Sequence, residues 1–182
     1  LLQFHGLSAA AEICMESTAF QVRPATPQDV PSLVRMGRSL LANEKTEDVL
    51  RITQESWLRN GFGPNPRITA YIAEHAGTCV GMITCSERYY TGWPEPTFYV
   101  SDMWVEPPFR RRGVARALLG RVAAHAIARG SPMIELTVQE DSPARNLYRS
   151  CGFDRVRHSV SYVAGTAALA ELAIGTKALQ GA

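Results

Sequence analysis

Val105-Glu106-Pro107-Pro108-Phe109-Arg110-Arg111-Arg112-Gly113-Val114-Ala115 is the stretch on which the fold turns. It begins at the end of an extended run, Phe98 to Val105, which Pro107 and Pro108 stop. It ends where helical spacing starts, with Leu118, Val122 and Ala126 on one face as far as Gly130. A strand entering a helix through a glycine turn brings the helix's unpaired first N–H groups, and roughly half a positive charge, to an open surface. Gly113 has no Cβ and Ala115 has little more, so an anion can approach the main chain closely. Three consecutive Arg add charge-assisted donors. The segment reads as a diphosphate cradle. It is not a P-loop, because no G-K-[ST] follows, and not a dinucleotide fingerprint, because the turn holds one glycine.

Outward from this segment the period of the apolar residues sets the rest. Ala19 to Arg23 reads as a strand, and Thr26-Pro27-Gln28-Asp29 as a helix start, with Pro31 displacing its true first turn. A second helical segment spans about Val49 to Arg59, and Gly61 to Pro66 is a loop. Ile68, Ala70 and Ile72 alternate, and Gly77 turns the chain into a run from Cys79 to Ser86, a hairpin. Met133 to Val138 is a strand, Ser142 caps a short helix that ends at Gly152, and Phe153 to Ala164 returns to alternation. The expected fold is α/β (α+β), with a mixed sheet and helices on its faces. Residues 1–18 read as an extension, 19–164 as the one domain, and 165–182 as a tail with helical character.

The 182 residues, 46% hydrophobic and 20% charged, suit one globular domain and exclude wholesale disorder. No apolar run approaches the roughly 20 residues of a membrane span. The net charge of +2 argues against a nucleic-acid or membrane partner, yet it hides a split. Val100 to Arg157 holds ten Arg against six acids, and the remainder nine bases against eleven acids. Cys14, Cys79, Cys85 and Cys151 show no C-x-x-C spacing, and His5, His75, His125 and His158 are scattered. No metal site is expected, and reduced thiols fit a cytoplasmic protein. His125 reads as a helix-surface residue and Cys151 as a packing thiol.

Arg110-x-x-Gly113-x-Ala115 resembles the Q/R-x-x-G-x-G/A signature of the GCN5-related N-acetyltransferase (GNAT) superfamily. Ala144-Arg145-Asn146-Leu147-Tyr148-Arg149-Ser150-Cys151-Gly152-Phe153 is similar to that family's A-x-x-L-Y-x-x-x-G-F ending. The resemblance implies a mostly antiparallel sheet of six to seven strands flanked by about four helices, with acetyl-CoA as cosubstrate and no metal. It implies that Met103 and Val105 hold pantetheine through the main chain, and that the Val105 amide faces the developing oxyanion. Arg110, Arg111, Arg112, Gly113, Val114 and Ala115 would hold the diphosphate, with Asp141 and Asn146 completing the cofactor site. Asp141 stands where the family often has Asn, which keeps an acceptor and loses the amide donor.

Tyr148 is implied as the acid that protonates the CoA thiolate. The base is open. Ser101 occupies the position where polyamine acetyltransferases of the superfamily carry Glu, and Asp102 beside it is the first choice. Glu106, Glu87 or an ordered water remain alternatives. Glu87, Tyr89, Tyr90 and Trp93 would wall an acceptor site, with Glu44, Glu47 and Glu95 as further acids suited to an ammonium group. The expected reaction is direct acetyl transfer to a primary amine, of a small molecule or a peptide, in a ternary complex. A non-catalytic acyl-CoA sensor of the same fold is the alternative. Dimers are common in the family, and the apolar tail would support one.

Overall fold

The hairpin expected around Gly77 forms from β2 (Thr69–His75) and β3 (Thr78–Arg88). Its turn residues Ala76 and Gly77 both have positive φ, 47° and 74°, as a two-residue turn matching the strand twist requires. In this computed structural model residues 20–46, 51–92, 94–156 and 169 are described. They fall into two compact units, one up to Ala144 and one from Arg145 onward.

In the first unit β1 (Gln21–Pro24) pairs antiparallel with β2, and β4 (Thr97–Val105) pairs antiparallel with β3. β5 (Ile134–Leu136) joins β4 in parallel, giving a five-stranded sheet in the order β1-β2-β3-β4-β5. Helices α1 (Val30–Glu44) and α2 (Gln54–Phe62) cover one face. There Val30, Leu33, Val34, Met36 and Trp57 pack on the alternate residues Ala70, Ile72, Met82 and Trp104. Helix α3 (Val114–Ala128) covers the other face, where Val114 and Leu118 lie against Gly81. The second unit carries α4 (Ala144–Ser150), which starts at the boundary. Tyr148 and Phe153 meet edge to face there, with ring centroids 5.8 Å apart.

The mixed sheet and the four α-helices agree with the expectation. The described strands number five rather than six to seven. Phe153 to Val156 form no strand, and the rest of the expected final strand lies outside the described residues. One 3-10 turn, Pro27–Asp29, precedes α1, which leaves Pro31 in the first turn, where a missing N–H costs nothing. α2 begins after Thr53, whose hydroxyl accepts the Ser56 N–H in a capping box, later than the apolar Val49 suggested. The α2 helix also runs on through Phe62, into the expected loop.

An ion-pair network ties β1, β2 and the start of α1. Arg23 reaches both carboxylate oxygens of Asp29, at 2.8 and 3.0 Å, and Glu74 at 2.7 Å. Asp29 also accepts from the Thr26 amide and hydroxyl. The Arg23 guanidinium holds the buried Asp29 carboxyl well below the usual carboxylate range.

Candidate functional site

Two features of β4 build the site. The first is where its pairing stops. Phe98, Tyr99 and Val100 pair with Ile134, Glu135 and Leu136, and β5 goes no further. The Glu106 N–H donates to Val80 O on β3. By strand alternation Trp104 also presents its main chain to β3, and Met103 and Val105 present theirs to the edge that β5 has left.

The second feature is a bulge. Thr84 faces Asp102 while Cys85 faces Val100, so Ser101 is the extra residue. It changes which residues look to which helix layer. Phe98 points toward α3, its ring 4.9 Å from His125, whereas Trp104 packs under α1 and α2. Asp102, two residues before Trp104, shares that face.

The edge of β4 runs directly into the arginine loop. After one 3-10 turn, Pro107–Phe109, Arg110 is extended, Arg111 has φ 62° and Gly113 has φ 84°. A left-handed Arg costs about 1 kcal/mol or more, and such strain gathers where a ligand is held. Gly113 is the N-cap of α3 and no side chain caps that end. The first-turn N–H groups of α3 therefore face outward. A Cβ at Gly113 would meet nothing within 4 Å, so the space over the helix start is open.

The three arginines differ in their work. Arg110 donates from Nε to Val105 O at 2.9 Å and lies over the Trp104 ring at 4.6 Å, pinning the loop to the strand end. Arg111 and Arg112 are exposed, and Arg112 covers Phe109 at 5.5 Å. Val114 is buried beneath the cradle and Ala115 is half-buried.

The carboxylates considered as bases separate cleanly. Glu106 forms an ion pair with Arg35. Glu87 forms one with Arg129 at 2.8 Å and also accepts from the Tyr89 hydroxyl at 3.4 Å. Asp102 has no cationic partner among the described residues. Its Oδ2 accepts from the Thr84 hydroxyl at 2.9 Å, and burial raises its carboxyl above the ordinary value, against the lowering effect of that bond. Glu44, the last residue of α1, is raised as well, by its own burial and by the charge of Asp102. The two acids are thus near enough for their charges to oppose each other, and the Gln139 side chain donates to the Glu44 carbonyl at 3.5 Å from the chain after β5.

Of the expected acceptor wall, the structure brings Glu87 and Tyr89 together and turns Tyr90 elsewhere. Glu87 lies opposite Phe98 on the α3 side, away from Asp102. Tyr90 donates to Glu135 at 2.8 Å, Tyr89 is 69% exposed, and Trp93 lies outside the described residues, as do Glu47 and His158. His125 is no surface residue. Its Nδ1 is 3.0 Å from the Tyr71 hydroxyl, and its ring meets Tyr71 and Phe98 edge-on. Asp141 is exposed in a turn closed by Ser142 N to Gln139 O, 3.1 Å. In the second unit Asn146 is exposed and Tyr148 half-buried. Cys79, Cys85 and Cys151 are free thiols, and burial pushes Cys85 up to about 11.

A freed strand edge running into an uncapped helix start through a positively charged loop is the arrangement expected of an acyl-CoA site. The profile of the acetyltransferase (GNAT) family spans residues 35–153. The chain belongs to the GNAT family. Among relatives of this GNAT chain is the thialysine N-epsilon-acetyltransferase of Sus scrofa, 28% identical over 139 residues, covering 72% of this chain and 82% of the relative. The fold is also that of an aminoglycoside acetyltransferase from an uncultured soil metagenomic sample, solved with sisomicin. That match has a TM-score of 0.68 at 15% identity, over 80% of this chain and 95% of the other. An aminoglycoside N-acetyltransferase solved with CoA matches with a TM-score of 0.65 at 17% identity, over 80% and 95% of the two chains.

Thr84 is the residue of this GNAT site that the sequence did not reveal. Its hydroxyl bonds a carboxylate 18 positions away across the sheet, a pairing that only the register and the bulge create. Among the described residues no group of His, Cys, Asp and Glu could hold a metal ion, and no helix is long and apolar enough to cross a membrane.

Proposed function

We propose that the protein transfers an acetyl group from acetyl-CoA to a primary amine by direct attack in a ternary complex. The observation that carries this is the continuity of the β4 edge at Met103 and Val105 with the open, uncapped start of α3 at Gly113. The main chain of β4 supplies donors and acceptors for the amide groups of pantetheine. The α3 N-terminus, with Arg111 and Arg112, supplies charge for the diphosphate. Acetyl-CoA contributes an activated acyl group on a thiolate leaving group.

The chain's own residues divide the rest. An alkyl ammonium with a pKa of about 10 is neutral in only about one molecule in a thousand at pH 7. Asp102, half-buried and without a cationic partner among the described residues, takes the amine's proton as nitrogen bonds to the acyl carbon. The Val105 N–H opposes the charge that gathers on the acyl oxygen. As the carbon–sulfur bond breaks, Tyr148 donates a proton to the thiolate. Asp141 and Asn146 are proposed to help hold the cofactor. Glu44 beside Asp102 favours an acceptor that carries a second positive charge, and the names of the thialysine and aminoglycoside enzymes describe substrates of that kind. These names support small amines with a second ammonium group as the acceptor class.

Calorimetric titration of acetyl-CoA into wild-type protein and Gly113→Trp tests the donor site. The indole would fill the open space above the helix start, so affinity should fall at least about 100-fold, and a side chain at a positive φ should also lower the apo melting temperature modestly without unfolding the protein. Unchanged affinity in a folded variant would remove the cradle from the account.

A further inference from the structure

The geometry points to Thr84 as a positioning residue for acetyl transfer, a hydroxyl clamp that holds both the main chain and the carboxylate of Asp102. The inference deepens the proposed reaction and rests on reading Asp102 as the base. Ser101 bulges out of β4, and the ladder shifts between Thr84 and Cys85, next to the pair Thr84 and Asp102. At this pair the Asp102 N–H donates to Thr84 Oγ1, at 3.1 Å.

A hydroxyl has one proton. With its oxygen accepting from the Asp102 amide, the Thr84 proton goes to Asp102 Oδ2, 2.9 Å away. Both bonds are sheltered, because Thr84 is 1% exposed. The clamp therefore fixes the side-chain rotamer and leaves Oδ1 with no hydrogen-bond partner among the described residues, available to a proton from outside.

The same bond tunes the acid. Burial favours the protonated carboxyl, and the Thr84 hydroxyl favours the ionised form that a base needs. The other groups that bear on this position are few. Glu44 faces Asp102 from the end of α1 and opposes its ionisation. Further along the β3–β4 face Arg88 lies over the Tyr99 ring at 3.4 Å and is 3.9 Å from Glu135 of β5. α3 lies behind the opposite face. Thr84 is thus the neighbour that favours the ionised form of Asp102 against its burial.

The test compares wild type, Thr84→Val and Thr84→Ser in the full chain by two readouts. One is the side-chain carboxyl 13C titration of Asp102, assigned by its loss in Asp102→Asn. The other is the pH dependence of kcat/KM with a saturable diamine. Valine matches threonine in shape, and melting curves confirm that each variant is folded.

The expected result is that Thr84→Val raises both the Asp102 titration midpoint and the acid limb of the rate profile by about one pH unit. That is about a ten-fold loss of kcat/KM on the acid side, and Thr84→Ser should restore both midpoints. An Asp102 titration unmoved in Thr84→Val would overturn the clamp, whichever group is the base. A titration that moves while the rate profile stays fixed would overturn Asp102 as the base and leave the clamp a structural feature.

Discussion

Asp29 and Asp102 are two buried or partly buried carboxylates in the same unit, and their environments push them in opposite directions. Asp29 is 7% exposed and surrounded by donors: the Arg23 guanidinium on both oxygens, and the Thr26 amide and hydroxyl. Its charge is held, and with it the junction of β1, β2 and α1. Asp102 has one hydroxyl, no cation among the described residues, and an acid in Glu44 as its neighbour. A carboxylate saturated with donors stays ionised and serves the fold. One that is desolvated and sparsely bonded is pushed toward its protonated form.

Exchanging each carboxylate for its amide is the strongest way to break this contrast. Asp102→Asn should lower kcat/KM by about 100- to 10,000-fold through loss of general-base catalysis, with a melting temperature close to wild type. Steady-state kinetics beside a thermal melt would show it, and turnover that survives the change would end the distinction. Asp29→Asn should do the reverse. It weakens the pairing with Arg23, and about 2–3 kcal/mol of stability should go, less than for a fully buried pair because the Arg23 side chain is 32% exposed. Urea titration measures that loss, and activity per folded molecule at low temperature should persist.

Acid sharpens the contrast further, with a smaller effect. The folded-state pKa of Asp29 lies below its unfolded value of about 3.9, so its contribution is complete above that value and is lost as pH falls through the folded one. Stability measured by denaturant should be level with respect to this group above about pH 5 and decline below about pH 4, and Asp29→Asn should flatten that decline. The Asp102 shift is upward, so the acid limb of activity should lie above the ordinary value of an aspartate while the fold is still intact.

The strand end, glycine turn and helix start of the proposed cradle were legible in the sequence because they are contiguous main chain. Arg110 to Ala115 needs only a strand end, a glycine and a helix start, all within a few residues. The acceptor side was not, because it is made by register. Thr84 meets Asp102 through a bulge, Arg35 withdraws Glu106 from 71 positions away, and Arg129 withdraws Glu87 from 42 positions away. Nothing local in Glu87 or Glu106 announces a partner so distant. The start of α2 has a local cause in the Thr53–Ser56 capping box, later than the expected Val49. His125 lies on the helix where its spacing put it, but its ring turns inward because Tyr71 and Phe98 offer an edge-on seat and a hydroxyl.

The central claim is that this chain moves an acetyl group from acetyl-CoA to a cationic amine. Thiol release on mixing the protein with acetyl-CoA and a panel of monoamines, diamines, aminoglycosides and peptides tests it most directly. The account predicts amine-dependent release of free CoA, greatest for small acceptors with a second positive charge. Tight binding of acetyl-CoA with no thiol released by any amine would contradict it and would make the protein a sensor of the cofactor.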